Sequence, residues 1–585
     1  MPDALLVMNV NLLPLPLVLV AMLAIGCEQD RANTDAPAPA EHSADVDPAV
    51  TAVGEAADEP EAEPEPQPEP VLDFPLLDAV RWLDLVDRSV RFPESLKALD
   101  GRQVSLVGFM APFDSLQDMR RCMIVPAYVG CQFCSPPTMT QVVYVTQGDL
   151  DDGSSARPFI EEPSQVVGTL RLSLPESEHE GKEQGFLYSI ERAVVTPYTG
   201  EAPERAPGHG STPPGQSTHL RGATELEPVE MADLVEQVGD LLGRQPLRPI
   251  EVEPVDRDAF AALVRGRLEA TFPPDSQAAW ASAFSLLGML DDDAEWIPTL
   301  AGIELARRVT ATDEAGEHVV LLDSVPVEHA YVRLELVGAI ADAIVRQHFP
   351  RGEAPADHDG RRALEALHRG IRTVATYRYS RSRGISPSTE LPVELEEGAW
   401  DAPPTSLEMD FWQFLPADVG SFFVDYFVGA TGPFSDLDPA LSRPPTTTIE
   451  FFRPRWYEDS ALWRHDPVPE TFADDVMESP PTRTEVLGIG GLVPWLASWH
   501  SVDVAKLIAG PWAGDRYAVW RFEDGSSALL LETRWQDDAS AEQFHGSIPD
   551  DPHQSVAPYV TGSRTVRMFR GSSAEALARV TREGK

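Results

Sequence analysis

The chain has 585 residues, more than one hydrophobic core ordinarily serves, so two or three domains joined by linkers are expected. Its 94 acidic against 46 basic residues give a formal charge of −48, which repels a phosphate backbone at long range and argues against nucleic acid as a partner. A basic partner, or acid that only solvates a spacer, fits that balance.

From Leu5 to Ile25 the sequence is almost wholly apolar and ends Leu23-Ala24-Ile25-Gly26-Cys27. Small residues before a cysteine suit signal-peptidase cleavage and thioether lipidation of the new terminal residue. Residues 1–27 therefore read as a lipoprotein signal peptide with Cys27 as lipidation site. The chain is then an exported protein, lipid-anchored to a bacterial membrane on its periplasmic or outer-membrane face. A membrane-spanning helix and a cleaved soluble export signal are the alternatives. Pro14 and Pro16 interrupt the run, and Asp3 stands where a positive charge is usual. Residues 28–72 are Ala, Asp, Glu and Pro with almost no large apolar side chain, an extended, disordered acidic spacer.

Residues 73–198 form the first expected globular unit. An amphipathic helix around Leu76 to Val86 precedes segments that read as strands: Gln103 to Met110, Cys122 to Pro126, Gln141 to Thr146, Gln165 to Leu174 and Gly185 to Val195. Strands of this length with no long helix between them predict a small OB-like β-barrel. This unit holds Cys122, Cys131 and Cys134. A Cys-x-x-Cys pair can close a disulfide, supply half of a copper or zinc site, or exchange thiols, and outside the cytoplasm a disulfide is the default. Leu106-Val107-Gly108-Phe109-Met110-Ala111-Pro112, Met123-Ile124-Val125-Pro126, and Cys131-Gln132-Phe133-Cys134-Ser135-Pro136-Pro137 followed by Gln141-Val142-Val143-Tyr144-Val145 recur in one order. In them residues 99–195 resemble the domain-of-unknown-function 3299 family of bacterial exported proteins. That resemblance implies export and a barrel, and no mechanism.

Residues 199–230 are a Gly-, Pro-, Ser- and Thr-rich linker carrying His209 and His219, with no Cys or carboxylate cluster beside them. Residues 231–585 open with helical patterns at Met231 to Leu242, Asp256 to Glu269 and Ser276 to Leu290, then a polar hairpin over Val309 to Val320 and a long helix from Pro326 to Phe349. A hairpin of Arg516 to Phe522 and Ala528 to Trp535, then a helix near Asp538 to Phe544, follow towards the C-terminus. The predicted fold class is α+β: the barrel, then a larger, mainly helical domain.

On the long helix Leu336, Ile340 and Ile344, flanked by Val337, Ala341 and Val345, make a broad apolar stripe, so the helix is expected in the core. Taken in order, Leu286-Leu287-Gly288-Met289-Leu290, the polar stretch around Asp313, Gln347-His348-Phe349, the helix Ala363 to Gly370, Trp512 to Tyr517 and Trp535 to Ala539 resemble a family of secreted gluzincin-type zinc peptidases over residues 231–550. The family's long helix carries His-Glu-x-x-His, two imidazoles for zinc and a Glu to activate water, and a Glu on the next helix completes the site. The resemblance lays those groups on Gly338, Ala339, Asp342 and Arg369, and only Asp342 has a ligand atom. None of the 13 histidines sits in another such motif. His348, at the helix end, is assigned packing or capping, Glu328 and His329 the helix start, and His368 the surface.

The sequence thus predicts a non-catalytic cell-envelope lipoprotein, a degenerate metallopeptidase that binds a protein or peptide partner without zinc or another cofactor. An active hydrolase working through Asp342, and a metal or thiol function at Cys131 and Cys134, are the alternatives. No P-loop, dinucleotide fingerprint or Gly-x-Ser-x-Gly elbow is present.

Overall fold

The structure, a computed structural model, describes residues 70–112, 120–126, 139–148, 162–174, 185–200, 226–383 and 406–582, isolated positions within these spans and a few beyond them apart. Cys27, Cys131, Cys134, His209, His219, the apolar N-terminal run and the Pro/Glu tract lie outside the described residues. The chain divides into two compact units: one holds the described residues from Ser95 to Gly200 with Val71 to Phe74, the other holds Pro75–Glu94 and those from Leu226 onward. Its class is α+β.

The smaller unit is a closed circuit of strands β1 (Gln103–Pro112), β2 (Arg121–Val125), β3 (Val143–Gln147), β4 (Ser164–Leu172) and β5 (Tyr188–Pro197). They pair in the order β1-β2-β3-β5-β4, and β4 pairs back onto β1. Every pairing is antiparallel except β3 with β5. Each strand falls close to its predicted bounds. Alternation defines the interior: along β4, Ser164, Val166, Gly168, Leu170 and Leu172 are buried while the residues between them are not. Closure needs bare backbone at two points. A Cβ on Gly108 would fall 2.6 Å from Cγ2 of Ile124, and one on Gly168 2.6 Å from Cγ2 of Ile190. The register also shifts between Val167 and Thr169, a bulge that bends β4 around the barrel.

The helix predicted over 76–86 is absent. A single turn, Phe74–Asp78, leads instead into a hairpin of Arg81–Asp84 and Ser89–Arg91. The carboxylate of Asp84 accepts the N–H groups of Val86 (2.8 Å) and Asp87 (2.9 Å), a local bond that competes with helix. Residues 75–94 belong to the larger unit although the sequence assigns them to the barrel. Arg453 binds Asp84 (2.9 Å) and Asp87 (2.8 Å), and the Leu85 N–H donates to the Phe452 carbonyl (2.9 Å).

In the larger unit α1 (Met231–Leu242), β6 (Glu251–Val255), α2 (Arg257–Thr271), α3 (Pro274–Leu286) and α4 (Trp296–Leu305) come first. Next are β7 (Thr310–Thr312), β8 (His318–Leu322), α5 (Ala330–His348), α6 (His358–Arg383) and α7 (Leu407–Val428). Short helical turns lead to β9 (Arg483–Glu485), α8 (Ile489–Ala497), α9 (Val502–Ala509), β10 (Trp512–Arg521), β11 (Ser527–Trp535), α10 (Asp538–Ser547), β12 (Gln554–Val556), β13 (Thr565–Gly571) and α11 (Ala574–Arg582). The predicted helices and both predicted hairpins are present. α3 ends four residues early because Gly288 turns left-handed (φ +75°) and the Met289 N–H returns to the Phe284 carbonyl at 2.9 Å.

Helix α5 is the spine. Leu336, Val337, Ala339, Ile340, Ala341, Ala343 and Ile344 are all fully buried, so the helix is apolar almost all round, as a central helix must be. One side meets the sheet β7-β8-β6, where the Thr312 hydroxyl donates to the Ala339 carbonyl at 3.1 Å. Another meets α6, which extends well beyond the short helix predicted at 363–370 and crosses α7 where Gly370 faces Gly420. The antiparallel sheet β9-β10-β11-β13-β12 completes the unit.

Candidate functional site

The two helices that the sequence singles out do lie side by side. At Gly338 a Cβ would stand 3.0 Å from Oγ1 of Thr376 and 3.3 Å from Cβ of Arg372, so α5 and α6 touch where the family resemblance calls for an imidazole. Ala339 is fully buried. Asp342 is buried too, with both oxygens engaged: Oδ1 accepts Nδ1 of His368 at 2.7 Å and Oδ2 accepts Nε of Arg346 at 3.0 Å. Burial would raise this carboxyl, but the charges of Arg346 and His368 outweigh it and hold it well below the usual range.

Arg369 anchors a second set of pairs. Its guanidinium meets Glu304 at 2.5 Å and Glu365 at 2.5 Å and donates to the Gln413 carbonyl at 3.1 Å. Glu304 also takes Arg308 and the Gln413 amide, and Glu365 takes Arg362 at 2.8 Å. Burial acts to raise Glu304; Arg308 and Arg369 prevail and bring it down to about 2. Arg372 pairs with Glu335 at 3.2 Å on the same side of α5.

These residues do not fit a zinc ion. The one carboxylate in position is committed to Arg346 and His368, a guanidinium stands in the next helix, and the helices are in contact at Gly338. Among the described residues no three of His, Cys, Asp and Glu gather as a metal site. The sequence places His368 on the surface; it is 6% exposed, because Asp342 on the facing helix gives the ring a buried partner. His329 caps α5, its Nδ1 accepting the Tyr331 N–H at 3.2 Å, while Glu328 receives the Leu226 N–H on its carbonyl at 2.6 Å. His348 bonds the Gln245 carbonyl through Nε2 at 2.8 Å.

A feature with no signature in the sequence lies at the start of α6. His358, 2% exposed, stacks on Trp412 with centroids 5.6 Å apart and planes 10° apart, and lies 4.6 Å from the Trp280 ring. Trp280 in turn stacks on Trp296 at 5.8 Å and meets Tyr517 edge-on at 6.2 Å. Both nitrogens of His358, the indole N–H groups of Trp280 and Trp296 and the Tyr517 hydroxyl have no hydrogen-bond partner among the described residues. Burial, then the charges of Arg362, Arg361 and Arg483, keep His358 neutral, with one N–H and one lone pair to offer. The cluster therefore gathers donors, one acceptor and aromatic rings in the buried interior of the larger unit.

Because an unpaired buried polar atom costs about 1–3 kcal/mol, His358→Phe is expected to raise the unfolding free energy by about 1–2 kcal/mol, read by urea titration. A fall of that size would show the imidazole engaged in solution.

Cys122 is fully buried on β2, opposite Val145 of β3. In the larger unit a groove of about 600 Å³ runs between α3 and the β10–β11 turn, with Asp291, Asp292 and Glu295 along one side, Arg521 on the other and Trp296 in its lining.

Residues 85–197 match the family model described as Protein of unknown function (DUF3299), and residues 478–585 match the one described as Domain of unknown function (DUF8575). The barrel region thus carries the DUF3299 domain, in keeping with the motifs around Gly108 and Cys131. A crystal structure of a DUF3299 family protein from Pseudomonas aeruginosa PAO1 is 26% identical, covering 20% of this chain and 70% of that one, with a TM-score of 0.14. No curated protein matches the chain.

Proposed function

We propose that the chain is a non-catalytic binding protein of the bacterial cell envelope, held by a lipid on Cys27, whose larger unit is a peptidase-type scaffold used to take a protein or peptide partner. The observation that carries this reading is the closed ion-pair set at α5 and α6. Positions that would bear ligands and base in a working peptidase, Gly338, Ala339, Asp342 and Arg369, are given over to helix contact and to buried pairs with Arg346, His368, Glu304 and Glu365. The groove beside α3 suits a partner segment in size, and its acidic side favours a basic one.

For the barrel we infer the OB type, supported by the strand circuit β1-β2-β3-β5-β4 with its single parallel pair. In this reading the barrel is a second binding module.

Elemental analysis and casein digestion with the purified mature protein test the proposal. Less than stoichiometric zinc and no cleavage are expected; stoichiometric zinc with cleavage overturns it. Cys27→Ala is expected to release the protein from the membrane fraction, and retention there would remove the lipid anchor from the reading.

A further inference from the structure

Two buried carboxyl groups converge on one peptide unit at the entry to α8. Asp515, on β10, accepts the Leu487 N–H on Oδ2 at 2.8 Å, and the Gly488 N–H (2.9 Å) and Trp512 indole N–H (3.0 Å) on Oδ1. Asp359, in the first turn of α6, lies against the other side of Gly488: a Cβ built there would be 1.8 Å from Oδ1 of Asp359. Only glycine fits, and its φ of +68° is one that glycine alone adopts readily.

Asp359 is held by Thr448, whose N–H lies 3.2 Å from Oδ2 and whose hydroxyl bonds Oδ1. Thr448 Oγ1 in turn accepts the Gly490 N–H at 2.8 Å. One hydrogen-bonded set therefore joins α6, the turn at Thr448, the start of α8 and strand β10. Both carboxyls are 2% exposed, and neither forms an ion pair among the described residues. The charged groups that act on Asp359 are Asp515 from β10 and Asp357 from its own chain segment; on Asp515 the nearby cation is Arg516.

We propose that Asp359 and Asp515 form a proton-operated latch between the helical body and the C-terminal sheet, closed while the pair retains a proton and loosened at Leu487–Gly488 when both carboxyls ionise. Two like charges against one glycine, in a site without a paired cation, repel strongly, so the pair resists full ionisation. Burial raises Asp359 to about 7, the Thr448 hydroxyl pulling the other way and Asp515 adding to the rise; burial likewise raises Asp515 to about 6. A carboxyl raised on folding contributes stability that is complete below its unfolded value and is lost as pH rises through its folded one. The latch is thus tight in acid, weakens as pH rises from the ordinary carboxyl value of 3.8, and has lost the contribution of the pair once pH passes the folded values of about 6 and about 7.

The test is hydrogen exchange of the full chain without any partner, at pH 5 and pH 8, corrected for the intrinsic rate. Asp418, raised to about 7 by burial against the opposing charge of Lys506, titrates over the same range on α7, which is why a site-resolved readout is needed. In the wild type, amides of 486–492 are expected to lose at least about tenfold protection from pH 5 to pH 8. Asp359→Asn keeps a neutral group that can bond Thr448 and should abolish most of that loss. Equal protection at both pH values in the wild type, or the same loss in the Asn variant, overturns the latch. If the variant does not fold, the wild-type comparison still decides. Failure here leaves the binding proposal standing, because no partner enters the measurement.

Discussion

Replacing Arg369 by Met is expected to lower the unfolding free energy by about 3–5 kcal/mol, the cost of removing one member from a buried ion set. Arg369 is 8% exposed, and its guanidinium reaches Glu304 and Glu365 at 2.5 Å each. Met fills much of the same volume, so the loss comes from charge. Glu304, 6% exposed, would keep Arg308 and Gln413 but lose its second cation, and Glu365 would keep only Arg362. The acid response should move as well. A carboxyl lowered on folding adds stability above its unfolded value and gives it up as pH falls through its folded one, for Glu304 at about 2. Without Arg369 that folded value rises, so acid unfolding should begin at higher pH. Urea titrations at pH 7 and pH 3 measure both effects. An unchanged midpoint would mean that desolvation and pairing at Arg369 cancel.

Apolar periodicity made the spine of the larger unit legible. The stripe of Leu336, Ile340 and Ile344 required burial, and these residues are fully buried. Alternation likewise exposed the barrel strands, whose inward residues repeat every second position. The turn at Asp84 was missed because its side-chain bonds to the N–H groups of Val86 and Asp87 decide the local conformation, whatever the helical spacing of Leu76 to Val86. α7 was missed as well, its helix running through Pro416 and a Phe-rich stretch with little polar contrast.

The candidate site was legible only in position. Sequence spacing could place Gly338 and Asp342 on one helix and Arg369 on the next. It could not show that Glu304, from α4, arrives beside Arg369, or that His368 turns inward to Asp342, because those pairings depend on how helices distant in sequence pack. The box around His358 draws its rings from α3, α4, α6, α7 and β10, and the carboxyl pair draws from α6 and β10. Neither has a motif, since neither has a fixed spacing. What both share is a location at the start of α6, where Asp359 follows His358 directly. That short stretch supports the aromatic box on one residue and the junction with the C-terminal sheet on the next.

Gly420→Ala is the second substitution for which a large loss is expected, about 3 kcal/mol or more, the upper end for overpacking. A Cβ at Gly420 would stand 1.9 Å from the Ala366 carbonyl oxygen, and one at Gly370 would stand 2.2 Å from the Gly420 carbonyl carbon and oxygen. The obstruction is backbone on both sides, so no rotamer change relieves it; α6 and α7 must separate. Separation would disturb the charged set too, because Arg369 and Arg362 on α6 donate to the Gln413 and Trp412 carbonyls of α7. Gly420→Ala and Arg369→Met should therefore be less damaging together than the sum of the two alone, since each weakens contacts that the other needs. Denaturant midpoints of the single and double variants form the cycle that measures this. Strict additivity would mean that the glycine crossing and the ion set stabilise the helix pair independently. A shortfall of a kcal/mol or more would mean that the close approach of α6 to α7 is what brings the buried charges into register.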